Sequence, residues 1–116
     1  MRLELPWPPT KLNPNRSRNR MQRYRLAAKY KSDCFYAARA DGARPMDADT
    51  VALVVTFCPP NRQARDMDNT VASFKAGQDG VSDALGVDDS RFVPTYRMGE
   101  VVKGGAVVVE IEEASQ

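Results

Sequence analysis

Four aspartates at two places in the chain have the types and spacing to do chemistry. Arg65-Asp66-Met67-Asp68-Asn69 sets two carboxylates around one apolar residue, and Asp88-Asp89 follows about twenty residues later. Carboxylates about 4 Å apart repel by roughly 4 kcal/mol in a surface-like dielectric, against about 1 kcal/mol in bulk water. A fold that gathers all four needs a proton, a Lys or Arg, or a metal ion to offset that repulsion. The chain has no histidine. A Ser-His-Asp triad, a Cys-His pair and a His-ligated zinc are therefore excluded. Any general base or ligand must be Asp, Glu or Lys, and oxygen-only ligand sets suit hard cations, Mg²⁺ or Mn²⁺.

Charge along the chain is lopsided. The net charge is only +2, yet residues 11–31 hold Lys11, Arg16, Arg18, Arg20, Arg23, Arg25, Lys29 and Lys31 and no acid. Residues 66–89 hold Asp66, Asp68, Asp79, Asp83, Asp88 and Asp89. A basic segment attracts a polyanion and the acids need a cation. A phosphodiester with a bound divalent metal meets both demands. The plainer readings are a solvated basic loop, aspartates that cap a helix N-terminus, and aspartates in a turn.

The elements that must position these residues are legible from pattern. With 116 residues, 42% hydrophobic and 28% charged, the chain is expected to form one soluble domain, residues 1–116. No apolar run is long enough to span a membrane, and no signal peptide is evident, so a cytoplasmic location is expected. Cys34 and Cys58 lack metal-ligand spacing and read as buried reduced thiols. Alternation over residues 2–7 predicts a strand with Leu3, Leu5 and Trp7 on one face, stopped by Pro6, Pro8 and Pro9. Residues 10–20 read as a loop or arm. Residues 21–40 read as a helix with Leu26, Tyr30, Cys34 (or Asp33) and Ala37 inward, closed by Asp41-Gly42. The aromatics Tyr24, Tyr30, Phe35 and Tyr36 could stack on bases, but a core role is expected for Tyr30 and its row.

Thr50–Phe57 is the strongest strand and is expected to be central and covered on both faces. Asn61–Arg65 is a second basic loop. A helix with Asn69 as N-cap runs to about Leu85 and stops at Gly86. Gly77 and Gly80 each weaken it by about 1 kcal/mol; they suggest close approach of another backbone, such as that of a partner subunit. Residues 91–98 read as a strand at an edge or bulge because of Pro94. Lys103-Gly104-Gly105 turns into a last strand, 106–112, paired to its neighbour. The expected fold is α+β, two-layered: a single mixed sheet of about four strands with two helices, in the order β-α-β-α-β-β. A helix of about sixteen residues is roughly 24 Å long. The two acidic pairs therefore meet only if one folds back or part of 69–89 is not helical.

Several motifs together resemble the RusA-type Holliday junction resolvases, short phage-associated endonucleases. Leu5-Pro6-Trp7-Pro8-Pro9-Thr10 is similar to that family's LPWPPS. Arg65-Asp66-Met67-Asp68-Asn69 is similar to its RDLDN. Asp79 through Asp83-Ala84-Leu85 and Gly86-Val87-Asp88-Asp89-Ser90 resemble its DDSQ-terminated helix, and Lys103-Gly104-Gly105 precedes the last strand as expected. The resemblance spans nearly the whole chain. It implies a homodimer that makes paired nicks in four-way DNA with Mg²⁺ (Mn²⁺ as substitute), no organic cofactor, and a bacterial host cytoplasm as setting. Asp66, Asp68 and Asp89 would be catalytic, and Asp88 would join them as a metal ligand. The family lysine falls at Ala72 here, and a short insertion brings Lys75 into its place. Lys11, Arg16, Arg18, Arg20, Arg23, Arg62 and Arg65 would contact DNA phosphates. The alternatives are a non-catalytic junction-binding protein and a metal-dependent phosphohydrolase of small substrates, against which the basic arm argues.

Overall fold

The computed structural model describes residues 1–14, 16 and 19–114; Arg18, one of the expected phosphate contacts, lies outside them. Strands β1 (Arg2–Leu5), β2 (Thr50–Cys58), β3 (Phe92–Met98) and β4 (Ala106–Ala114) form one sheet in the order β1-β4-β2-β3. β2 and β3 are parallel, and β4 is antiparallel to both β1 and β2. The helices are α1 (Arg20–Ala40) and α2 (Met67–Leu85), with one-turn 3-10 helices at Thr10–Leu12 and Asp89–Arg91. This is the expected mixed four-stranded α+β arrangement. The last strand differs from expectation in its partners. The glycines at 104 and 105 do not close a hairpin with β3; β4 inserts between β1 and β2. Leu3 and Leu5 lie opposite Val109 and Val107, which in turn lie opposite Val55 and Phe57, so three strands put their apolar alternation on one face.

That face alone carries the core. Val51, Leu53, Val55 and Phe57 are buried, while Ala52, Val54, Thr56 and Cys58 between them are only half-buried. β2 is interior as expected, but the expectation of cover on both faces is corrected: both helices pack on the same side. The outer face is closed by small side chains and by Arg97, whose Nε donates to Thr56 Oγ1 (2.8 Å) and whose guanidinium lies 3.5 Å from Glu110. Cys58 sits on that outer face, so the expectation of two buried thiols holds for Cys34 only. β3, with Pro94, is one edge of the sheet, where a missing N–H does least harm.

The two helices differ in how they earn their place. α2 buries Phe74, Val81, Ala84 and Leu85. α1 buries only Tyr30, Cys34 and Ala38, one per turn. Its first turns stand clear of the body, leaving Met21 60% and Tyr24 72% exposed. Thr10–Leu12, expected as loop, is a helical turn because Leu12 is buried in the core.

Gly80 does admit another backbone, but it belongs to α1 and not to a partner subunit, and Gly77 makes room for α1 side chains. A Cβ at Gly80 would lie 2.4 Å from the Lys31 carbonyl oxygen, and one at Gly77 would lie 2.7 Å from the Tyr30 ring. Tyr30 is thereby clamped, its hydroxyl donating to the Pro6 carbonyl at 2.6 Å. Burial pushes the Cys34 thiol beside it up to about 12, so it stays protonated. Among the described residues no helix is long and apolar enough to cross a membrane.

Gly80→Ala tests the close approach. Helix propensity alone would stabilise by about 1 kcal/mol, whereas overpacking against a backbone costs about 1–3 kcal/mol. The clash wins, and the urea midpoint is expected to fall; a rise would show that α1 can yield.

Candidate functional site

α2 begins one residue after Asp66, earlier than the pattern indicates. Asp66, not Asn69, is the N-cap: its carboxylate accepts from the Asp68 N–H at 2.9 Å, and its carbonyl accepts from Thr70 N–H and Oγ1. Asn69 lies inside the first turn, where its carbonyl accepts from Ser73 Oγ at 2.8 Å. The Asp68 side chain projects from that same turn into solvent. Both acids sit at the positive end of the helix dipole, which favours negative charge there by a few tenths to about 1 kcal/mol each.

Positions 68, 72, 75 and 79 lie on one stripe of α2, at i, i+4, i+7 and i+11. Asp68, Ala72 and Lys75 are exposed and Asp79 is half-buried. Lys75 has no ion-pair partner among the described residues. Asp83, next along, lies 3.4 Å from Lys31.

Past the helix, Gly86 takes the left-handed conformation (φ 62°) and closes α2 as expected. Asp88 caps the 3-10 helix that follows, accepting from the Ser90 N–H at 2.9 Å. That hydrogen bond holds the Asp88 carboxyl below the usual carboxylate range, with Arg91 contributing less. Asp88 and Asp89 are both exposed.

The structure therefore does not bring the four aspartates together within one chain. α2 is helical without a break, and nineteen residues span about 28 Å. Asp66 and Asp68 lie at one end and Asp88 and Asp89 past the other. Among the described residues no three His, Cys, Asp or Glu side chains are placed to hold one metal ion. Each pair keeps an oxygen-rich, exposed donor set, but one chain alone does not enclose an ion.

The basic residues fall into two groups. Arg65 is tied into its loop: NH1 donates to the Asn61 and Gln63 carbonyls (3.0 and 2.9 Å), NH2 donates to Asn61 Oδ1 at 3.0 Å, and the guanidinium sits 5.5 Å over the Trp7 ring. It does not pair with Asp88 or Asp89. Trp7 packs edge-on against Phe57 and fills the space above Gly105, a packing role. Trp7, Arg65, Arg16 and Asp66 line a polar cleft of about 170 Å³ beside the α2 N-terminus. Lys11, Arg62, Arg20 and Arg23 are exposed, the last two on the free end of α1.

The chain is 34% identical over 119 residues to an uncharacterized protein of Xylella fastidiosa (strain Temecula1 / ATCC 700964), a match covering 98% of this chain and 77% of that protein. The two belong to one family. No family model matches the chain.

Two features of the site were missed in the sequence. The caps made by Asp66 and Asp88 were readable as generic roles, but not which Asp serves. Tyr24 reads in the sequence only as one of several aromatics that could stack on bases; its flanking run of Arg20, Arg23 and Arg25 is the signal that it is exposed.

Structural and chemical roles separate by mutation. Asp66→Ala removes a cap and is expected to lower stability by about 1 kcal/mol, whereas Asp68→Ala should stay within about 0.5 kcal/mol, both read by urea unfolding. Because Asp88 titrates low in the fold, its contribution is present above the unfolded value and is lost as pH falls through the folded one. An NMR titration is expected to place its midpoint below the usual value of about 3.9, and Ser90→Pro, which removes the donor, is expected to raise it.

Proposed function

We propose that this chain is an endonuclease of branched DNA that cuts four-way junctions as a homodimer with Mg²⁺, or Mn²⁺, as cofactor. The observation that carries the reading is the exposed α2 stripe. It presents Asp68 and an unpaired Lys75 on one side of a helix, beside Arg20 and Arg23 on α1. That juxtaposition supplies carboxylate for a hard cation and fixed positive charge for a phosphodiester. The motif resemblance to RusA-type resolvases supports the same class of substrate.

The metal requires more than one chain. Since α2 separates Asp66 and Asp68 from Asp88 and Asp89, the residues of a single protomer do not fit one shared ion. A two-fold pair removes the obstacle if one α2 runs antiparallel to the other. The N-terminal acids of one copy then lie beside the C-terminal acids of the second. A divalent ion there would supply charge neutralisation at the phosphate. Lys75 would offset charge growing on the phosphoryl oxygens, and the surrounding arginines would hold the duplex arms through their phosphates. Asp66 serves this site while remaining a helix cap, because a carboxylate has more than one acceptor site.

A second reading is favoured by one residue. Ala72 stands where the resemblance places a lysine, which suits a protein that binds junctions without cutting them.

Incubating a labelled four-way junction with the protein and Mg²⁺ decides between them. Paired symmetric nicks are expected from wild type, binding without cutting from Asp68→Asn, and cutting reduced at least ten-fold by Lys75→Ala. Equal cutting by wild type and Asp68→Asn would reject the site. Binding without cutting by the wild type itself, across several metals, would favour the second reading. Mixing Asp68→Asn with Asp89→Asn tests the shared site directly. If acids from two copies meet, each mixed dimer regains one intact site and nicks a single strand; if each chain works alone, nothing is regained.

A further inference from the structure

The free end of α1 and the exposed flank of α2 enclose a groove of about 450 Å³. Arg20, Arg23 and Tyr24 form its α1 wall; Ala72, Lys75 and Ala76 form its α2 wall; Leu12 and Ala27 line it between them. Arg20, Tyr24 and Ala27 share one face of α1 by their i, i+4, i+7 spacing. Tyr24 is 72% exposed and touches no other ring among the described residues, whereas Tyr30, two turns on, is buried and ring-packed against Phe74. Among the described residues, Arg20, Arg23 and Lys75 have no ion-pair partner. The one acid in the groove, Asp79, also lines the acidic cleft that continues toward Asp88 and Asp89.

We propose that this groove binds an unpaired DNA strand, with Tyr24 stacking on one base and Arg20, Arg23 and Lys75 on the flanking phosphates. Charge complementarity selects the occupant: three cations without an ion-pair partner among the described residues surround small apolar side chains and one exposed aromatic ring. A polyanion whose planar faces are uncovered matches that set, and a duplex, whose base faces are stacked inside, does not. The small residues Ala27, Ala72 and Ala76 leave room for a base edge beside the ring. The groove also opens onto the α2 stripe that carries Asp68, so a strand held there passes the carboxylate. The inference rests on the DNA-processing reading above and adds which part of a branched substrate the protein holds: the strand that unpairs at the branch point.

Fluorescence anisotropy with labelled oligothymidylate, blunt duplex and a four-way junction provides the test, with cleavage measured in parallel. Tyr24→Ala is expected to weaken oligothymidylate binding about ten-fold, Tyr24→Phe to restore it, and neither to alter blunt-duplex binding. Arg23→Gln is expected to lower the dependence of log affinity on log salt by about 0.7 for the single strand, while Tyr24→Ala leaves that slope unchanged. Wild-type and Tyr24→Ala proteins binding oligothymidylate equally would overturn the proposal, even if junctions are cut normally. Tyr24-dependent binding of the single strand without junction cutting would uphold it and reject the nuclease reading alone. A wild-type protein that binds no oligothymidylate overturns it. A shift of the dimer toward monomer in sedimentation of Tyr24→Ala, with DNA binding unchanged, also overturns it by assigning the groove to a second copy of the chain.

Discussion

The continuity of α2 is the constraint on which the rest of the molecule depends. Two interior glycines weaken this helix by about 2 kcal/mol together, enough to break a marginal one. It stays whole because Phe74, Val81, Ala84 and Leu85 are buried against the sheet, and each large apolar side chain buried stabilises by about 1.5–3 kcal/mol. The same glycines let α1 pack close, to backbone contact at Gly80 and to the Tyr30 ring at Gly77. Their weakness as helix formers and their use as a packing surface are two sides of one property, the missing Cβ. With α2 fixed as a rod, everything attached to its ends is fixed in separation.

That separation shapes the electrostatics. Four aspartates in one place would require a strong counter-charge. Held apart in two exposed pairs, they require little: Asp66 and Asp68 lie at a helix N-terminus, and Asp88 is stabilised as a carboxylate by the Ser90 N–H. The fold is thus electrostatically comfortable as a single chain. Bringing the pairs together between two chains would create the repulsion that a divalent cation relieves, which ties assembly to metal binding in the reading proposed above.

The one-sided sheet has its own consequence. Both helices crowd one face, and α1 packs against the body from Leu26 onward. Its N-terminal turns therefore project with their arginines and Tyr24 exposed. A sheet covered on both faces would have spread the helices apart and left no α1–α2 groove. Exposure of the basic segment follows from topology as much as from composition.

The sequence by itself determined the six main elements and their order, because alternation and helical spacing are local signals. It also determined the helix stop at Gly86, the edge character of the Pro94 strand, and the exclusion of histidine chemistry. Only the tertiary structure decided what those elements meet. Insertion of β4 between β1 and β2 depends on pairing across most of the chain, and the β-branched run of β2 reads the same whether one face is covered or two. Tyr30, placed inward by helical spacing, is the one ring-packed against Phe74 of α2, while Tyr24 beside that row stays exposed. The spacing of the acidic pairs turned on whether Gly77 and Gly80 interrupt a helix, and that was settled by the burial of Phe74, Val81, Ala84 and Leu85 against elements distant in sequence.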